Sequence, residues 1–166
     1  GEELDIWRVL AAEDDTQLTL QPAVAGQRTL SAGEFFEFET SEDFVLSSTK
    51  PVMLGQFLAA EQAPLPGRDS GDAGIGDPAF ILAVPSRQFR QSYVFLAPAQ
   101  YAEDYISLAI RAQATAQLDG LPLDAAPGVR RKTIADGEWV AYRLQIADGF
   151  HTLQCSGPCS VMVHGY

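Results

Sequence analysis

The chain has 166 residues, with 22 Asp and Glu against 11 Lys and Arg, and a formal net charge of −11 at neutral pH. That balance excludes nucleic acid and anionic membrane surfaces as partners, since both are held by clustered basic side chains. No apolar run approaches the roughly 20 residues of a membrane-spanning helix, so membrane insertion is not expected.

The acidic residues are scattered, as on a solvated, self-repelling surface. No Asn occurs anywhere, which excludes N-linked glycosylation and a Lys–Asn isopeptide crosslink. Nine Arg stand against two Lys (Lys50 and Lys132), and Ala is abundant, the bias of a GC-rich bacterial genome. The chain opens on Gly1 rather than Met and ends on Tyr166 inside a strand-like run. The expectation is a processed piece of a larger protein with further domains.

In chain order, residues 4–12 alternate around Trp7 and Val9 and predict a first strand. Glu13-Asp14-Asp15 is a turn, and 17–21 is the returning strand. After a loop at 22–26, the stretch 29–38 reads as a Gly turn feeding a strand. Strands at 43–46 and 52–59 come next. Residues 62–77 hold Pro64, Pro66, Gly67, Gly71, Gly74 and Gly76 with acidic residues between them, which predicts a long exposed loop. The run 78–84 is continuously apolar, the pattern of a strand buried on both faces. Residues 91–96 form another strand. From 105 to 118 the even positions are apolar, giving one bent strand or two; strict period-2 alternation favours strand over helix here. Asp119-Gly120 signals a hairpin turn.

The stretch 29–38, TLSAGEFFEF, returns at 133–142 as TIADGEWVAY. Gly33-Glu34 matches Gly137-Glu138, and Phe35 matches Trp139. The residues after each copy also match, since Val52-Met53-Leu54 answers Val161-Met162-Val163. The prediction is an all-β fold, a two-sheet β-sandwich or jelly-roll-like domain spanning 1–166. Its two halves, about 4–60 and 78–166, repeat one β unit around the Gly/Pro/Asp-rich loop 61–77.

Four stretches together resemble a known family. They are Trp7-Arg8-Val9-Leu10 with 29–38; Lys50-Pro51 through Gln56-Phe57; Gly76-Asp77-Pro78-Ala79-Phe80-Ile81-Leu82 with Val84-Pro85, Gln88-Phe89-Arg90 and Ser92-Tyr93-Val94-Phe95; and Tyr101 with Tyr105. The ending from His151-Thr152-Leu153 to Val163-His164-Gly165-Tyr166 belongs with them. The chain thus resembles the IgGFc-binding protein N-terminal domain family, as a bacterial secreted or surface member. The resemblance implies an extracellular, β-rich adhesion or binding module with no catalytic motif to carry over. The family takes its name from antibody Fc binding by its animal member, a ligand that the name alone does not transfer.

Cys155 and Cys159 are the only cysteines. They flank Ser-Gly-Pro, read as a turn between two strands. A structural disulfide fits this spacing and an oxidising compartment; free thiols are the alternative. The pair lies outside the family pattern. Asp69, Asp72 and Asp77 in the Gly-rich loop are the calcium candidates, because hard oxygens on flexible backbone suit that ion. Their spacing matches neither the EF-hand nor the nonapeptide calcium repeat, and a solvated loop is the plainer reading. No other cofactor is expected. His151 and His164 are the only histidines. Without partner ligands they read as half-exposed sheet residues. Ser47-Ser48 and Ser92 lack a nucleophile-elbow context. Phe35 and Trp139 sit opposite Phe36/Phe38 and Val140/Tyr142. Each is a candidate ligand-binding aromatic unless its strand is buried on both faces.

Three functions compete. The first is a non-catalytic extracellular or cell-surface binding and adhesion module with a protein or glycan ligand. The second is an assembly domain that self-associates through edge strands or exposed aromatics. The third is a carbohydrate-active enzyme on a jelly-roll, which requires two carboxylates facing across a cleft.

Overall fold

The structure is a computed structural model that describes residues 4–58 and 79–165. Its chain divides into two compact units, Gly1–Ala83 and Val84–Tyr166. Among the described residues the regular elements are fourteen strands and three single-turn 3-10 segments. The chain is an all-β, sandwich-like protein. No helix among the described residues is long and apolar enough to cross a membrane.

The first unit contains β1 (Asp5–Ala11), β2 (Thr16–Gln21), β3 (Arg28–Leu30), β4 (Phe35–Thr40), β5 (Val45–Ser48), β6 (Val52–Phe57) and β7 (Phe80–Leu82). They form a four-stranded sheet in the order β4-β1-β6-β7 and a three-stranded sheet in the order β3-β2-β5, with every pairing antiparallel. Strand alternation aims Val9 and Ala11 of β1 at Leu18 and Leu20 of β2, with Leu30 and Phe38 completing a single core. Phe44 caps it, meeting Trp7 edge-on at 4.8 Å and Phe38 at 5.3 Å.

The sequence predicts β1 and β2 as neighbouring strands of a hairpin. They lie instead in different sheets, so residues 12–15 form a corner, with Asp15 at φ 56°. Burial explains this. Both strands carry their apolar rows toward one core, and facing across it buries both rows together.

The second unit contains β8 (Arg90–Ala97), β9 (Asp104–Arg111), β10 (Ala116–Leu118), β11 (Leu121–Pro122), β12 (Arg130–Ile134), β13 (Trp139–Ile146) and β14 (Gly149–Gly165). They form one curled sheet in the order β11-β10-β14-β9-β13-β12, with β8 also on β14. Ile106, Leu108 and Ile110 of β9, Val140, Tyr142 and Leu144 of β13, and Leu153 and Cys159 of β14 fill its concave side. The long alternating stretch therefore resolves into two strands, β9 and β10. The predicted Asp119-Gly120 turn joins β10 to β11, with φ of 52° and 81°.

Two further expectations change. Phe80–Leu82, expected in the second half and buried on both faces, belongs to the first unit, where among the described residues it is an edge strand paired with β6 alone. Having one neighbour, it leaves Phe80 and Leu82 exposed. The two copies of the repeated motif both pass from strand through a left-handed glycine to strand, with φ 78° at Gly33 and 93° at Gly137. Only glycine enters that region without strain. Their pairing differs: β12 and β13 hydrogen-bond to each other, whereas β3 and β4 lie in different sheets. The predicted loop 62–77 lies outside the described residues.

Truncating a fully buried side chain at either core, Leu18→Ala or Leu153→Ala, is expected to cost about 2–5 kcal/mol of unfolding free energy in urea denaturation. Met53→Ser, half-exposed on the outer sheet face, is expected to change it by less than about 1 kcal/mol.

Candidate binding face

The outward row of β1 is Ile6, Arg8 and Leu10, the complement of the buried row. Register places Leu10 between Phe35 of β4 and Met53 of β6, Arg8 between Glu37 and Gly55, and Ile6 between Glu39 and Phe57. β7 extends two of these rows, setting Leu82 beside Gly55 and Phe80 beside Phe57. The result is a sheet face that is mostly apolar and open. Phe35 and Phe80 are each 56% exposed and Met53 52%, where full burial of such side chains is worth about 1.5–3 kcal/mol each. The opposite surface of the same sandwich is polar, with Gln17, Thr19 and Gln21 of β2 facing outward.

One cation stands at the centre of this face. The Arg8 guanidinium donates from Nε and Nη2 to Glu37 Oε2 at 2.9 and 2.6 Å. The Phe35 and Phe57 rings approach it at 4.9 and 5.0 Å. The Phe57 ring in turn meets Phe80 at 4.8 Å. An exposed ion pair alone contributes little to stability. Held between two rings, however, Arg8 is fixed before any partner arrives, so little of its rotamer entropy remains to be lost on binding. Gly55 makes room for this arrangement. A Cβ there would lie 2.5 Å from the Phe80 ring.

The predicted site residues fall in different places. Phe35 lies on the open face. Trp139 does not act as an exposed aromatic, being 9% exposed beneath the Arg111 guanidinium at 4.2 Å and the edge of Phe89 at 6.0 Å. Asp69, Asp72 and Asp77 lie outside the described residues. Among the described residues no group of three or more His, Cys, Asp or Glu is placed to hold a metal ion. His151 is buried rather than half-exposed, because Asp119 and the Ala147 carbonyl take up its ring nitrogens. His164 is partly buried and stacks on Tyr105.

Cys155 and Cys159 are joined by a disulfide, with Cα atoms 6.5 Å apart. They do not flank a hairpin turn. Both belong to the single strand β14, and the bond spans a bulge. From Gln154 to Cys159 β14 advances five residues while its neighbour β8 advances two, from Ser92 to Arg90. The bulge is where β14 leaves β10, last paired at Cys155, and takes up β9, first paired at Cys159. A depression of about 480 Å³ beside it is lined by Val84, Phe89, Arg90, Tyr93, Ser160 and Val161 among others, none of them a carboxylate.

Sequence reading missed Arg8, Phe57, Phe80, Met53 and Leu82 as members of one surface. The signal was present as apolar residues at both parities of β1 and β6. Parity alone does not tell an open face from a second buried one.

An all-β sandwich-like fold that presents an open apolar sheet face has the build of a binding module. The chain belongs to the IgGFc binding protein family, whose family model matches residues 1–165. Among curated proteins and among solved structures nothing matches it.

Because the disulfide closes a short loop, the double variant Cys155→Ser/Cys159→Ser is expected to lose about 2 kcal/mol of stability. Urea denaturation of oxidised, reduced and double-variant protein checks this. The reduced protein should match the double variant.

Proposed function

We propose that the protein is a non-catalytic binding and adhesion module that works outside the cytoplasm, and that it holds a protein partner on the outer face of its four-stranded sheet. The observation that carries this reading is the open surface of Ile6, Leu10, Phe35, Met53, Phe57, Phe80 and Leu82 around the fixed Arg8–Glu37 pair. Protein interfaces combine an apolar and aromatic centre with arginine, which is the composition here. Glycan recognition calls for a concave site with several converging polar groups. Among the described residues the polar side chains on this face are Arg8, Glu37 and Glu39. With Arg8 already neutralised by Glu37, Glu39 and the chain's net charge of −11 favour a partner whose apolar patch is rimmed by Lys and Arg.

The disulfide and the family support a secreted or surface location, since such bonds persist in oxidising compartments. Glycoside hydrolysis finds less support. The depression at the disulfide bulge carries no acidic side chain among its lining residues, whereas the reaction requires two facing carboxylates. A second reading, assembly of like copies, draws on β7 as an edge strand with exposed apolar side chains. Repulsion between two strongly acidic copies works against it.

The test is affinity capture from serum and mucus proteins, with antibody Fc as one defined probe. Wild type is compared with Phe35→Ala/Phe80→Ala, and the chain is applied in parallel to a glycan array. Captured protein should bind the double variant at least about tenfold more weakly, with a silent array. Capture that survives both substitutions, or glycan binding that survives them, overturns the proposal. Concentration-dependent dimers abolished by the same substitutions would favour assembly instead.

A further inference from the structure

At one end of the curled sheet a histidine faces a hydrogen-bond acceptor on each ring nitrogen. His151 of β14 is 8% exposed. Its Nδ1 lies 2.7 Å from Asp119 Oδ2 and its Nε2 lies 2.7 Å from the Ala147 carbonyl oxygen. A carbonyl oxygen only accepts, so Nε2 carries a proton. The second Asp119 oxygen accepts the Thr152 backbone N–H at 2.8 Å, a bond that favours the ionised carboxylate. Nδ1 then carries a proton as well. The ring that satisfies both partners is the imidazolium.

A second carboxylate stands at the same end. Asp104 opens the inward row of β9, in register with Ile146 of β13 and Gly165 of β14, and is 2% exposed. Among the described residues neither of its oxygens accepts a hydrogen bond. A buried carboxylate left this way is costly unless a cation faces it, and its charge acts on His151.

We infer that His151 is a proton-operated latch. As an imidazolium it fastens the Asp119 carboxylate of the hairpin and the 147–149 turn to the end of the sheet, and its deprotonation loosens both. The Asp119 carboxylate accepts from His151, from the Thr152 N–H and more distantly from the Thr152 hydroxyl, while its backbone N–H donates to the Thr152 carbonyl at 2.8 Å; the charged ring therefore tightens a joint between hairpin and β14 that the backbone bond also holds.

Several elements bring groups to the ring. Asp119 comes from the hairpin, Asp104 from β9, the Ala147 carbonyl from the turn before β14, and the Phe95 ring from β8, stacked at 5.5 Å. Asp148 shares the turn with Ala147 and is exposed. Arg143, Tyr105 and His164 occupy the alternate positions of β13, β9 and β14, on the other side of the sheet. Burial by itself pushes His151 down. The Asp119 bond, the Ala147 bond and the charges of Asp119 and Asp104 outweigh it, and the net direction is up. For Asp119, burial pushes up, but the Thr152 and His151 bonds win and hold it down.

The two groups act in the same pH window. The imidazolium contribution is complete below the unfolded histidine value and disappears as pH rises through the raised folded one. The Asp119 contribution is complete above the unfolded carboxyl value and disappears as pH falls through the lowered folded one. The latch is closed between these limits and opens on the alkaline side.

The test is an NMR titration of the full chain, following both histidine rings and the Thr152 amide. His151 should titrate above the ordinary value of 6.5 and His164 below it, since burial and Arg143 push His164 down. Protection of the Thr152 amide, corrected for intrinsic base catalysis, should be lost across the His151 midpoint. Asp104→Asn, which touches neither ring hydrogen bond, should lower that midpoint, and Asp119→Asn should lower it and uncouple Thr152. A wild-type His151 midpoint at or below 6.5, or a Thr152 amide indifferent to it, overturns the inference whether or not either variant folds.

Discussion

The first unit depends on β1 being apolar on both of its faces. Val9 and Ala11 look into the sandwich and Ile6 and Leu10 look out of it, one residue apart along the same backbone. Strand geometry leaves no freedom here, since successive side chains must point to opposite sides of the sheet. A chain that fills one core from alternate positions of β1 therefore delivers its remaining apolar residues to the other side. The register of β4, β6 and β7 then decides what those residues meet. It brings Phe35, Met53, Phe57, Phe80 and Leu82 beside them and sets Arg8 in their midst. Core and open apolar face are two sides of one strand, so a register slip that damaged one would reverse the other.

The second unit solves a different problem with a similar economy of elements. A single curled sheet has to enclose its own core, and β14 does most of this by serving two sets of neighbours in succession. Its first part lies with β8 and β10 and its last part with β9. The ladder cannot be continuous through such a change. The irregularity is gathered into a few residues and tied by a covalent bond, with the Ser156 side chain and backbone both bonded to Thr115. Bulges commonly sit where a sheet must bend or change partners.

Much of this was legible in the sequence, and the part that was not has a physical cause. Alternation identified most strands, β11 and most of β12 excepted, the glycines at 33 and 137 marked turns, and Asp119-Gly120 announced its hairpin. Pairing was harder. Nothing local distinguishes a corner at Glu13-Asp14-Asp15 from a hairpin, because both need the same turn chemistry. The difference lies in which distant rows complete the core. Cys155 and Cys159 were legible as a bond but not as a bulge, since a three-residue spacer serves either geometry. Phe35 and Trp139 occupy equivalent places in the repeated motif and end differently. Phe35 faces open space beside Arg8, while Trp139 is covered by Arg111 and Phe89. No reading of the motif alone supplies those neighbours. The role of His151 depends on Asp119 and Asp104, residues far from it along the chain, and only the fold brings the three to one end of the sheet.

The strand switch in β14 also bears on how the second unit responds to force. A pull along that strand loads its antiparallel bonds to β8 and to β9 in shear, so that many resist at once. The bulge holds spare length: fully extended, the four steps from Cys155 to Cys159 would span about 13 Å, whereas their Cα atoms stand 6.5 Å apart. With Cys155 bonded to Cys159 that slack is locked away, and tension entering at one end of the ribbon passes undiminished to the other.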